Sequence, residues 1–116
     1  MDLSLSMEQD NLKKTARKFL TDLCPDTLVR EMEEDEKGFS LDLWQKMAKL
    51  GWQGIVIPEE FGGAGMGFFE LVILLEEMGR ACLPGPFFCT VVLGGLLIQE
   101  FGNDRQKREL LPAVSK

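Results

Sequence analysis

The sequence contains no histidine and no tyrosine. That absence excludes a Ser-His-Asp triad, the usual neutral-pH proton shuttle and histidine-based zinc sites. Any acid or base must therefore be Asp, Glu, Lys or Cys. A cationic surplus is missing as well: 13 Lys and Arg stand against 19 Asp and Glu, a net charge of −6. With no basic patch to displace counterions from phosphates, affinity for nucleic acid is not expected. Cysteines are few, at positions Cys24, Cys82 and Cys89. Odd in number, outside any C-x-x-C spacing and set among apolar neighbours, they read as reduced core thiols rather than a disulfide scaffold. Long apolar runs are also lacking. A membrane span needs about twenty such residues, whereas Phe87 to Ile98 gives 12, including Thr90 and two glycines. The N-terminus, MDLSLSMEQD, carries acids where a signal or transit peptide carries bases, so a cytoplasmic protein without export or organelle targeting is expected.

What remains is a globular composition, 45% hydrophobic and 28% charged over 116 residues, enough for one core. Ser6 and Gln9 have the spacing of a capping box, and Leu12, Ala16, Phe19 and Leu23 then recur on one helical face up to Cys24-Pro25. The basic residues Lys13, Lys14, Arg17 and Lys18 read as the solvated side of that first helix. Asp26 is the expected cap of a second, weaker helix through about Glu36, anchored by Leu28, Val29 and Met32. The acids Glu31, Glu33, Glu34, Asp35 and Glu36 lack the alternating ligand and glycine pattern of a calcium loop, so no metal site is expected. Ser40 caps a third helix with Leu43, Trp44, Met47 and Leu50 on its apolar stripe, and Gly51 stands where a left-handed cap closes it.

Trp52 to Ile57 is short, apolar and closed by Pro58, which predicts extended chain. The glycine-rich turn Glu59 to Gly67 then leads into a fourth helix, Phe68 to about Arg80. Such a turn ahead of a helix can bind phosphate through free N–H groups. No Lys-Ser or Lys-Thr follows, however, and Gly63, Gly65 and Gly67 do not fit G-x-G-x-x-G, so a structural hinge is favoured. The fourth helix is apolar almost all round, with Glu70, Glu77 and Arg80 as a narrow polar strip, and is expected to be central and buried. Glu76 and Glu77 invite a paired-carboxylate reading, but Arg80 lies within reach of an intrahelical ion pair.

Leu83-Pro84-Gly85-Pro86 breaks the chain before a fifth helix, from near Pro86 to Glu100 and closed by Gly102, which reads as a buried core helix. Gly94-Gly95 there costs on the order of 1 kcal/mol per glycine and points to a backbone or ligand packing closely. Pro86, Cys89, Thr90 and Leu93 share a face that suits either the wall of an apolar ligand channel or ordinary core. Asn103 or Asp104 caps a sixth helix, Arg105 to about Val114. The sum is an all-α fold: a compact bundle of about six helices with one extended loop.

The segments LWQKMAKLGWQGIVIPEEFGGAGMGFFELVILLEEMGRACLPGPFF and FGNDRQKRELLPAVSK closely resemble the N-terminal helical domain of acyl-CoA dehydrogenases. The matching motifs, in the family's order, are Leu50-Gly51 with Gly54-Ile55, Pro58 to Gly63, Glu76 to Arg80, and Gly102 with Gln106-Lys107 and Leu111-Pro112. The resemblance covers nearly the whole chain and is weakest before Ser40. It implies that residues 1–116 are an N-terminal α-helical domain, with the family's middle β domain and C-terminal four-helix domain absent. FAD and the catalytic glutamate of α,β-dehydrogenation belong to those later domains. No catalytic, cofactor-binding or metal residue is therefore expected in this chain, nor activity from it alone. By position, Pro86, Cys89, Thr90 and Leu93 are implied to line the acyl-tail pocket. The parent is implied to be an FAD-dependent flavoprotein of fatty-acid type metabolism, acting on acyl-CoA with an electron-transfer partner and assembling as a homo- or hetero-oligomer. The alternative is a stand-alone helical interaction module without enzymatic activity.

Overall fold

A computed structural model describes residues 2–116, and six helices with no strand carry the fold among them. Helix α1 spans Met7–Leu23, and its capping box forms as the spacing predicts: Gln9 N donates to Ser6 Oγ at 3.1 Å and Ser6 N to Gln9 Oε1 at 3.0 Å. Helix α2, Asp26–Glu33, differs from expectation at both ends. Pro25 is its N-cap and Asp26 its first helical residue, with no side-chain cap bond. The run of acids beyond Glu33 repels itself and leaves the helix, while Asp35 Oδ1 accepts from Lys37 N and Gly38 N in a local turn. Helix α3, Leu41–Lys49, is capped by Ser40, whose Oγ accepts from Leu43 N at 3.2 Å, and Gly51 follows it at φ +80°.

Trp52 to Ile57 is not extended. It winds through a 3₁₀ turn, Trp52–Gly54, with Gly54, Ile55 and Ile57 donating to the carbonyls of Gly51, Trp52 and Gly54 at 3.1–3.2 Å. A lone buried strand would have no neighbour to take its backbone groups, so the chain satisfies them by turning on itself. A second 3₁₀ turn, Glu59–Phe61, carries it into the glycine-rich stretch. That stretch folds back on the first turn: Ala64 N, Met66 N and Gly65 N donate to Gly54 O, Ile55 O and Ile57 O at 2.8–2.9 Å. The approach is so close that a Cβ on Gly63 would sit 2.0 Å from Ile57 O.

Helix α4, Phe68–Arg80, is buried at Leu71, Ile73, Leu74, Glu77 and Met78. Its main neighbour is α1, and the two run parallel. Gln9 meets Glu70 near their N-termini, Arg17 meets Glu77 midway, and Cys24 Sγ donates to Ala81 O at 3.8 Å near their C-termini. A parallel pair requires the intervening chain to return to the start, and α2, α3 and the two 3₁₀ turns make that return. Around this axis lie Ala16 and Leu20 of α1, Leu43 and Met47 of α3, and Trp52, Ile55 and Val56 of the turn. Phe19 meets Trp52 edge-on at 4.9 Å.

Helix α5 begins with π-wound Phe88–Gly95 and continues as α-helical Leu96–Phe101. Helix α6, Asp104–Val114, is capped by Asn103, which forms a second capping box with Gln106. Three expectations about burial fail. Leu23 is exposed because the inward face of α1 runs through Ala16 and Leu20, and α5 is buried on one side only. Cys24 is the one core thiol of the three; Cys82 and Cys89 are exposed. Among the described residues no helix is long and apolar enough to cross a membrane.

Candidate functional site

The Leu83 to Pro86 break resets the backbone, and α5 starts as Thr90 N donates to Pro86 O at 2.9 Å. Its winding then widens: Leu96 N donates to Val91 O, five residues back. Runs of π-helix are rare and occur mostly as single turns, frequently at functional sites. Here the wide winding sorts the side chains into two stripes. Phe87, Val91 and Gly95, four apart, are buried; Phe88, Leu93, Leu97 and Phe101, spaced five, four and four, are 53–78% exposed. Four large apolar groups in line on one side of a helix form an interaction surface rather than scattered exposure.

Of the four residues singled out from sequence, Pro86, Cys89 and Leu93 are exposed and Thr90 is half-buried. They lie at the start of this apolar stripe, but the π winding spreads them over a wider arc than an α-helix would. None of them lines the apolar cavity next to the stripe. That cavity, about 380 Å³, lies between the C-terminal half of α4 and the start of α5, and is walled by Leu75, Met78, Cys82, Leu83, Phe87 and Phe88 together with two glycines. The expected close packing at Gly94-Gly95 is absent: added Cβ atoms would meet only Cys89 O at 3.4 Å, Thr90 O at 3.5 Å and Val114 Cγ1 at 3.6 Å. These are ordinary contacts, and the two carbonyls belong to the helix's own preceding turn.

Charge is concentrated elsewhere. Between Arg80 and Glu100 the sequence has none. On the α1 side of the molecule the Glu77 carboxylate is buried, 1% exposed, and receives Arg17 in a two-point grip, Nε to Oε2 at 3.0 Å and Nη2 to Oε1 at 3.1 Å. Arg80 Nε lies 3.3 Å from Oε2 and Lys13 Nζ 3.4 Å from Oε1. Burial alone pushes this carboxyl up, but the hydrogen bonds and charge of Arg17, then the bonds of Arg80 and Lys13, outweigh it and hold it below its ordinary range. None of these groups lines the apolar cavity. They clamp two helices together and present no free acid or base to a ligand. Lys13 and Arg17 are thus not merely a solvated face, as the sequence pattern implied. The basic side of α1 and the lone buried acid of α4 were both legible, but only the fold brings residues 60 apart into contact.

From Phe61 to Met66 the glycine-rich turn spends its backbone N–H groups on carbonyls of its own and of the preceding turn. Gly62 N and Gly63 N donate to Glu59 O and Pro58 O at 3.0 and 3.2 Å, and the next three N–H groups are engaged as described above. Among the described residues no cluster of three or more His, Cys, Asp or Glu is placed to hold a metal. The arrangement is a packing surface with an apolar cavity.

Comparison with known proteins adds to this geometry. The family model for "Acyl-CoA dehydrogenase, N-terminal domain" matches residues 6–116. The curated acryloyl-CoA reductase (NADH) of Anaerotignum propionicum is 38% identical over 118 residues, covering 100% of this chain and 29% of that protein. Among solved structures, a variant of the Tcur3481-Tcur3483 steroid ACAD superposes with a TM-score of 0.84 at 39% identity, over 93% of this chain and 29% of that one. An acyl-CoA dehydrogenase from Bacillus anthracis, complexed with FAD, gives a TM-score of 0.80 at 29% identity, over 97% of this chain and 19% of that one. The chain spans less than a third of each of these relatives.

Proposed function

Because the chain belongs to the acyl-CoA dehydrogenase family and corresponds to its N-terminal helical domain, we propose that it supplies part of the acyl-tail wall and of an interdomain interface in an FAD-dependent acyl-CoA dehydrogenase. The observation that carries this reading is the charge-free, one-sided exposure of α5: Phe88, Leu93, Leu97 and Phe101 face water beside an apolar cavity. A surface of this kind lowers its free energy by covering apolar area, at about 25 cal/mol per Å². It excludes water from whatever lies against it. Pro86, Cys89, Thr90 and Leu93 are its candidate contacts with the acyl tail.

The residues present do not make a flavin site. The backbone donors from Phe61 to Met66 are engaged within the pair of turns, and the cavity offers no polar side chain beyond the Cys82 thiol to a diphosphate or a flavin ring. FAD in the parent accordingly sits on other domains, and this domain alone is inactive. Its role is positional: to bound the tail, exclude water and fix the domain that carries the chemistry. The parent takes an acyl-CoA substrate and an electron-transfer partner, and assembles as a homo- or hetero-oligomer. Expression of the full reading frame that encodes this sequence tests the reading. Co-purification of FAD and acyl-CoA-dependent reduction of an electron-accepting dye are expected; a flavin-free product inert towards every acyl-CoA offered contradicts it.

The same stripe also favours a second reading, an interaction module that covers it with a protein partner. Such a module self-associates as the 116-residue chain in sedimentation and needs no flavin. A strict monomer counts against it.

A further inference from the structure

The end of α4 carries an anomaly that the acyl-wall reading leaves unused. Cys82 N donates to Gly79 O at 3.1 Å and Leu83 N to Met78 O at 3.0 Å, the two bonds of a Schellman cap. The residue after the cap in this motif is left-handed and usually glycine. Here it is Cys82, at φ +53°, the one non-glycine residue with positive φ among those described. A Cβ in that conformation is crowded against the following carbonyl, and backbone strain of this kind clusters at functional positions.

What lies beside it is another thiol. Cys24, buried at the end of α1, directs its Sγ at the carbonyl of Ala81, 3.8 Å away. A carbonyl oxygen lies about 2.8 Å from the next Cα, so the Cys82 Cα is within about 6.6 Å of the Cys24 sulfur. Desolvation pushes the Cys24 thiol up, and the neighbouring Cys82 adds to that. The two sulfurs thus terminate two parallel helices, one thiol exposed to solvent and the other enclosed.

We propose that Cys24 and Cys82 are a peroxide-responsive pair that closes to a disulfide between the C-terminal ends of α1 and α4. The exposed Cys82 sulfur, as thiolate, attacks one oxygen of hydrogen peroxide, a two-electron oxidant: the S–O bond forms, the O–O bond breaks, and the departing hydroxide is protonated to water, leaving a sulfenic acid. The Cys24 sulfur then displaces that hydroxyl, which leaves as a second water once protonated, and the S–S bond forms. In total two thiols and one peroxide become one disulfide and two waters. Thiol–disulfide exchange with a dithiol reverses it.

The test is peptide mapping by mass spectrometry, without reduction, of the 116-residue chain treated with equimolar hydrogen peroxide. The expected product is a Cys24–Cys82 cross-link with loss of 2 Da, and a melting temperature raised by about 5–15 °C. Cys24→Ser is expected to abolish the cross-link and leave a dimedone-reactive sulfenic acid at Cys82, while Cys89→Ser changes neither result. Cross-links through Cys89, intermolecular disulfides alone, or oxidation of Cys82 without joining Cys24 would each overturn the pairing. The mapping of the unmodified sequence decides the matter even if a variant fails to fold.

Discussion

Helix α4 buries Leu71, Ile73, Leu74, Glu77 and Met78, whereas α5, which is no less apolar and carries no charge before Glu100, buries only Val91 and Gly95 along Phe88–Phe101. The difference lies in what orients each helix. Helix α4 carries a carboxylate that three cations of known position can reach, so its rotation is fixed by the grip of Arg17 as well as by packing. Before Glu100 no charge tells α5 which side should face water. Its π winding commits one stripe to the core through Phe87 and Val91 and leaves the other open. Apolar content is therefore not burial. A helix with no charge before Glu100 and one open side is the basis for proposing α5, and not α4, as the acyl wall.

The contrast can be broken most severely on the closed side. Gly63→Ala places a Cβ 2.0 Å from Ile57 O, a backbone atom that cannot yield, and is expected to cost about 4 kcal/mol or more. Urea denaturation that finds Gly63→Ala stable would refute the tight lacing of the two turns. Next, Leu74→Ala removes a fully buried side chain and is expected to lose about 3 kcal/mol. Leu97→Ala, on a residue 59% exposed, is expected to stay within about 0.5 kcal/mol. Equal losses at the two positions would erase the distinction between the helices.

Glu77→Gln sharpens the comparison. The expected loss is about 1–2 kcal/mol, below that of a fully buried pair because Arg17 and Arg80 are half exposed and solvent screens them. The sign of its pH dependence follows from a folded-state pKa below the ordinary 4.5. The stabilisation is present above that value and is lost as pH falls through the depressed one. Thermal melts of the wild type should therefore decline on acidification below about pH 4.5, and those of Glu77→Gln less steeply. One substitution is expected to be a gain: Cys82→Gly relieves the left-handed strain and is expected to add up to about 1 kcal/mol, measured under reducing conditions.

Much of this fold was legible because capping chemistry is local. Ser6 with Gln9, Ser40 with Leu43, and Asn103 with Gln106 mark helix starts that the structure reproduces. Legibility failed where the decisive partner is distant or the winding is unusual. Trp52 to Ile57 looks extended by composition, yet it turns because no strand exists to pair with it. The Arg17–Glu77 grip joins residues 60 apart. Periodicity read at 3.6 residues per turn grouped Pro86, Cys89, Thr90 and Leu93, but it missed Phe88, which the wide π winding brings towards Leu93, and Leu97 and Phe101, which continue from Leu93 at ordinary helical spacing. The motifs of the glycine-rich turn identified the family correctly, while their physical role, a pair of turns laced backbone to backbone, emerges only in the folded chain.

The central claim is that the open side of α5 bounds the acyl tail, and enlarging Cys89 tests it most directly. In the full-length enzyme proposed to carry this domain, Cys89→Phe is expected to lower kcat/KM for the longest acyl-CoA accepted by about 10-fold relative to the shortest, since pocket discrimination of this size follows from a few methylenes. A chain-length profile identical to that of the wild type would contradict the assignment.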